Sequence, residues 1–118
     1  MPHPTEIRVR RASRVLALVF DDGYACELDF EYLRVSSPSA EVKGHGPGQE
    51  TLVTGKEQVA VVGCEPVGNY AVKLVFDDGH DSGLFTWDYL YELGRQHADN
   101  WSHYLNRLAE AGHSRAAT

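Results

Sequence analysis

Sulfur is scarce in this chain: its 118 residues include two cysteines, Cys26 and Cys64, and one methionine. The cysteines show no CxxC or zinc-ribbon spacing, and neither has a histidine close in sequence, so no redox pair or cysteine-rich metal motif is expected. Long hydrophobic runs are also missing. No stretch approaches the roughly 20 apolar residues of a membrane helix. The opening MPHPTEIRVRRASR has no apolar segment of the kind that makes a secretory signal. A cytoplasmic location is therefore expected, with both thiols reduced. Basic residues are in deficit, 11 Lys and Arg against 17 Asp and Glu, for a net charge of −6. That balance argues against a broad nucleic-acid surface. The exception is residues 1–14, where Arg8, Arg10, Arg11 and Arg14 face Glu6 alone. On one short segment these arginines read as guards of an edge strand.

What is present is ordinary for one soluble domain over residues 1–118, with its core at about 5–112. The chain also repeats itself. LVFDDGYACELDFEYL begins at Leu18 and LVFDDGHDSGLFTWDYL at Leu74. In each copy an apolar, β-branched run leads into Asp-Asp-Gly, the strongest short hairpin signal, which predicts a type I′ turn. An alternating return strand follows. Asp29 then caps a short helix at 30–33, and Thr86 caps a longer one at 87–93 that Gly94 ends. Phe20 and Phe76, Gly23 and Gly79, and Leu28 and Leu84 stand 56 positions apart, whereas Tyr32-Leu33 and Tyr89-Leu90 stand 57 apart. Either a strand–turn–strand–helix unit was duplicated, or hairpins followed by helices simply look alike.

Ile7 to Arg10 reads as an edge strand and Gln58 to Val62 as another strand. Residues 67–70 read as a tight turn, with Pro66 marking an edge or bulge. Asp99 is placed as the cap of a last helix, 100–111, closed by Gly112. Its core face is Trp101, Tyr104, Leu105 and Leu108. The expected fold class is α+β: an antiparallel sheet built from two related hairpin units, with a short helix and a C-terminal helix packed on it. The alternative is a small open barrel with one C-terminal helix.

Between the units, SSPSAEVKGHGPGQETLVTG is a glycine-rich loop. It is not a phosphate cradle, because no GK[ST] follows and no strand feeds a glycine turn that opens a helix. No nucleophile sits beside a base, and no carboxylate pair suggests a cleft, so no enzyme is expected. His80 with Asp77, Asp78 and Asp81 is a candidate set for iron or another divalent metal, with His45 able to join from the loop. The competing reading is that the aspartates build the turn and His80 packs against residues 37–42.

Residues 33–50, LRVSSPSAEVKGHGPGQE, and 65–94, EPVGNYAVKLVFDDGHDSGLFTWDYLYELG, resemble the gamma-butyrobetaine hydroxylase N-terminal-like domain family. This resemblance implies a small stand-alone domain of unknown function. Related modules are fused to gamma-butyrobetaine and trimethyllysine hydroxylases, which are iron and 2-oxoglutarate dioxygenases, or stand beside Mrp-type ATPases that handle iron–sulfur clusters. In the hydroxylases the module resembles a zinc-binding domain with three cysteines, spaced C-x-C-x-x-C, and one histidine. Ser37, Ser39 and Val42 stand where those cysteines would be, and His80 where the histidine would be. The resemblance thus implies that the relatives' zinc is lost, replaced by hydrogen bonds or packing, with no tightly bound cofactor. The expected function is a non-catalytic binding or adaptor module with a protein partner linked to iron–sulfur or dioxygenase chemistry. Its surface would include Ser37, Ser39, His45 and Gly46. The alternative is a stand-alone metal-binding protein that uses His80 and nearby carboxylates. No membrane partner is expected. A homodimer is compatible with the guarded first strand, and a light-scattering mass twice that of the chain would reveal it.

Overall fold

The computed structural model of the protein describes residues 2–38 and 52–113. The first half runs β1 (Pro4–Arg10), β2 (Val15–Phe20), β3 (Ala25–Asp29) and α1 (Phe30–Val35). The second runs β4 (Val61–Val67), β5 (Ala71–Phe76), β6 (Leu84–Thr86), α2 (Trp87–Arg95) and α3 (His97–Glu110). The fold class is α+β, as expected, but the strands form two three-stranded antiparallel sheets, β1-β2-β3 and β4-β5-β6, rather than one. Each unit satisfies its backbone within its own hairpins, and the units join through side chains. Leu16, Leu18, Phe20 and Leu28 of the first sheet share one core with Val61, Val72, Leu74, Phe76 and Phe85 of the second, and with Tyr32, Leu33, Leu90 and Leu93 of the helices.

The two units agree well beyond the quoted repeat. β1 is bulged between Pro4 and Glu6, and β4 between Val61 and Gly63, the same place 57 positions on. Phe20 N–H donates to Tyr24 O and Phe76 N–H to His80 O. Asp21 N–H donates to His3 O and Asp77 N–H to Ala60 O. Phe30 N–H reaches Arg14 O at 3.0 Å, and Trp87 N–H reaches Tyr70 O at 3.0 Å. The helices tie the units together in the same reciprocal way. Tyr32 Oη donates to Leu93 O at 2.8 Å, while Tyr89 Oη, its counterpart, donates to Ser36 O, the counterpart of Leu93. Matching bulges, turns and reciprocal cross-bonds are what a duplicated unit paired about a pseudo-twofold axis would give. Generic hairpins do not share them.

Several local readings are corrected. The Asp-Asp-Gly turns are not type I′: Gly23 (φ 89) and Gly79 (φ 91) have positive φ, whereas Asp22 and Asp78 do not. Gly23 N–H bonds Phe20 O, and Gly79 N–H bonds Phe76 O. Each is a type I turn followed by a left-handed glycine, the usual three-residue hairpin loop. The strand expected at 58–62 begins only at Val61, because Val59 N–H turns back to Lys56 O at 3.1 Å. Pro66 does lie on an edge strand, where its missing N–H leaves the ladder intact. The last helix starts at His97 with Gln96 as its cap, not at Asp99. Gln96 alone separates it from α2, and Gln96 N–H still bonds Glu92 O. Gly94 lies inside α2 rather than ending it. It is needed for close approach, since a Cβ there would stand 2.8 Å from both Cys26 Sγ and Tyr24 Oη. Leu105 is exposed, so the apolar face of α3 is narrower than its sequence suggests.

Candidate functional site

The site is the second hairpin turn, residues 77–81, and the side chains gathered against it. The type I turn aims Asp78 back at its own backbone, so Oδ1 accepts from His80 N–H at 3.1 Å. Asp78 Oδ2 is held from the other side by Arg34 Nε of α1 at 2.9 Å and by Lys56 Nζ at 2.6 Å. Burial of the side chain pushes the Asp78 carboxyl upward. The Lys56 ammonium, the His80 N–H and the Arg34 guanidinium together outweigh that and hold it far below the usual carboxylate range. Arg34 also lies over the Phe76 ring, 6.0 Å from its centroid. Its Nη1 is buried and has no hydrogen-bond partner among the described residues.

His80 turns inward from the tip of the turn. It is buried, and its Nε2 shares a 2.8 Å hydrogen bond with the buried Ser37 Oγ. Ser37 stands one residue past Ser36, the C-cap of α1, and Tyr89 of α2 holds the Ser36 carbonyl. Gly83 completes the enclosure: a Cβ at this position would stand 2.3 Å from Ser37 Oγ and 3.2 Å from Phe85 Cε1. Gly83→Ala is therefore expected to break the Ser37–His80 contact and cost about 1–3 kcal/mol, read as a lowered denaturation midpoint at unchanged m-value.

The candidate residues thus separate. Ser37 and His80 meet directly. Asp78 is beside them in sequence but commits both oxygens elsewhere, and Asp81 is exposed. Ser39, His45 and Gly46 lie outside the described residues. Among the described residues, no three His, Cys, Asp or Glu side chains converge in a way that would hold a metal ion. Cys26 and Cys64 are free thiols, and burial pushes both upward, toward the unreactive protonated form. Arg34, Lys56 and Gly83 were missed in the sequence. The repeat offered a signal for Arg34, because Tyr91 stands 57 positions later and donates to Asp22 Oδ2 at 2.7 Å. Each helix thus grips the aspartate of the other unit's turn. The Tyr24 N–H, followed by the Tyr91 hydroxyl, likewise keeps Asp22 below the ordinary range.

Residues 7–91 match the family described as gamma-butyrobetaine hydroxylase-like, N-terminal. The chain belongs to that family. Two proteins solved by solution NMR are similar over 98% of this chain, at 53% and 51% identity, with TM-scores of 0.83 and 0.84 and coverage of 90% and 86% of their own chains. A crystal structure of a protein of unknown function from Acidithiobacillus ferrooxidans is 47% identical, with TM-score 0.65, over 77% of this chain and 91% of its own. No curated protein matches the chain. Among the described residues, no helix is long and apolar enough to cross a membrane.

A pH prediction follows from the depressed Asp78 carboxyl. Its folded pKa lies below the unfolded one, so its stabilisation is fully present above the unfolded value of about 3.9. It is lost as pH falls through the folded value. Stability of the native protein should therefore decline below about pH 4, and Asp78→Asn should show a smaller decline over that range at lower stability throughout. Urea melts from pH 7 to pH 2.5 test this, and parallel curves for the two proteins would refute it.

Proposed function

We propose that the chain is a small non-catalytic binding module that docks a protein partner through the second hairpin turn and the cationic side chains beside it. One observation carries this reading. The turn's reactive groups are committed inward, His80 to Ser37 and Asp78 to Arg34 and Lys56, while Asp77, Gly79 and Asp81 form an exposed rim. A rigidly held loop tip suits recognition more than chemistry. The class of partner is drawn from the family's company: an Mrp-type ATPase or a 2-oxoglutarate dioxygenase, and so a link to iron metabolism.

The metal-binding alternative is the weaker reading, because the residues do not fit the zinc site of relatives. An oxygen and a nitrogen on one tetrahedral zinc, each about 2.0–2.1 Å from it, lie about 3.3 Å apart. Ser37 Oγ and His80 Nε2 are in direct contact at 2.8 Å, and a neutral hydroxyl is a poor ligand in any case. On the adaptor reading His80 is structural, and His80→Ala lowers the melting temperature without changing metal uptake.

The deciding experiment is an NMR titration of labelled protein with a purified Mrp-type ATPase, and separately with a dioxygenase catalytic domain lacking its own N-terminal module. Shifts confined to residues 77–82 and to the surroundings of Arg34 and Lys56 are expected with at least one of them. Calorimetry with Fe²⁺ and Zn²⁺ on untagged protein should show no stoichiometric uptake. One metal per chain, abolished by His80→Ala, would overturn the reading in favour of the alternative. The absence of shifts with both proteins would remove the adaptor role.

A further inference from the structure

The two units also differ at the matched place where each β1–β2 or β4–β5 turn meets the start of a helix. In the first, Arg14 closes the β1–β2 turn, lies over the Phe30 ring at 5.9 Å, and donates through Nη2 to Val59 O. It thereby fills the space between the start of α1 and the segment leading into β4. The matched positions of the second unit are Tyr70 for Arg14, Trp87 for Phe30 and Pro2 for Val59. The backbone match is direct, since the carbonyls of Arg14 and Tyr70 take the same 3.0 Å bond from the first residue of each helix. Among the described residues, no arginine is supplied here. Pro2, His3, Tyr70, Thr86, Trp87 and Asp88 instead line an open cavity of about 370 Å³. That is the lower end of the size range of small-ligand pockets.

We infer that this cavity is a docking site for an arginine side chain of a partner protein, which takes the place that Arg14 occupies in the other unit. The inference goes beyond the proposed function and concerns a different face of the molecule. Trp87 provides the ring under the guest, and its indole N–H is already committed to Asn69 O at 2.6 Å, which fixes the ring. A tryptophan face attracts a guanidinium more strongly than the phenylalanine face used by Arg14. The start of a helix carries partial positive charge, which by itself opposes a cation. Asp88, in the first turn of α2, offsets it with a full negative charge at the cavity wall. Behind the lining, the Asp21 carboxylate stands 4.0 Å from His3 Nδ1. Arg14 shows that the same position over the start of α1 accepts a guanidinium, and Glu31, the residue after Phe30 in that helix, is the counterpart of Asp88. The net charge of −6 further favours a basic partner.

The test uses three tripeptides, acetyl-Gly-X-Gly-amide with X as arginine, lysine or citrulline, titrated into the labelled full chain. Citrulline has the shape of arginine without its charge. Arginine peptide is expected to shift the Trp87 indole N–H and the Thr86 and Asp88 amides saturably, with millimolar affinity. Citrulline, and Asp88→Asn with the arginine peptide, should each weaken binding about tenfold. A second variant, Tyr70→Arg, restores the missing side chain from within and should abolish the response. Equal shifts from citrulline or lysine would overturn the guanidinium assignment. So would a response that persists in Tyr70→Arg, or shifts that map away from the cavity.

Discussion

Tyr32→Ala is expected to lower the melting temperature by about 15 °C or more. Tyr32 is 1% exposed and stands at the junction of the two units. Its ring packs edge-on against His97 and Trp101, 4.5 Å and 6.2 Å between centroids. Its hydroxyl donates to Leu93 O at 2.8 Å and accepts from Asn100 Nδ2 at 3.0 Å. Burial pushes the phenol up to about 12, so it stays a neutral donor at any ordinary pH. Truncation removes a large buried ring, a loss of about 3–5 kcal/mol. It also leaves the Leu93 carbonyl and the Asn100 amide unpaired. A domain of this size has about 5–15 kcal/mol in total. Tyr32→Phe separates the two parts: it keeps the ring and should cost only about 1–3 kcal/mol, the penalty for buried polar groups that lose a partner. Calorimetric melts of both variants check this. Equal losses would mean that the hydroxyl, not the ring, holds the helices together.

Arg34→Met is expected to cost about 2–4 kcal/mol, whereas Tyr91→Phe, the matched change in the other unit, should cost much less. The two residues grip equivalent aspartates, yet their surroundings differ. The Arg34 and Asp78 side chains are 11% and 20% exposed, so losing the guanidinium leaves a largely covered carboxylate with only Lys56 and the His80 N–H. Asp22 lies in solvent, where water replaces a lost hydroxyl at little cost. Methionine keeps the contact with the Phe76 ring, and it also removes the buried Nη1 that has no hydrogen-bond partner among the described residues, so the loss should stay below that of a fully buried ion pair. A double-mutant cycle over Arg34 and Asp78 should show coupling above about 1 kcal/mol, and the cycle over Tyr91 and Asp22 should not. Additivity in the first cycle would contradict the geometry.

Much of the fold was legible because it is locally encoded. Apolar, β-branched runs and alternating returns gave the strands of both hairpins, Asp-Asp-Gly gave their turns, and Thr86, which accepts from Tyr89 N–H at 3.1 Å, gave the start of α2. The misreadings also have local causes. An Asp-Gly pair fits both a type I′ loop and a type I turn followed by a left-handed glycine, and only the backbone separates them. Gly94 carries the composition of a helix stop, yet its smallness serves the approach of Cys26 and Tyr24 from the other unit. The candidate site was legible at Ser37 and His80 through the family resemblance, which pointed to the segment where they meet. It was not legible at Lys56 or Gly83, whose roles depend on what stands opposite them.

The sequence by itself determined that there are two similar units, where each turns, and which faces are apolar, because those features depend on neighbours a few residues apart. The tertiary structure decided how the units face each other. The reciprocal pairing places Arg34 on Asp78, Ser37 on His80, and Tyr91 on Asp22. These contacts join residues 43 to 69 positions apart, and no local periodicity encodes them. The same pairing fills one of two matched spaces with Arg14 and leaves the other open beside Trp87. That difference arises only when two nearly equal surfaces are brought together and one side chain is long enough to cross between them.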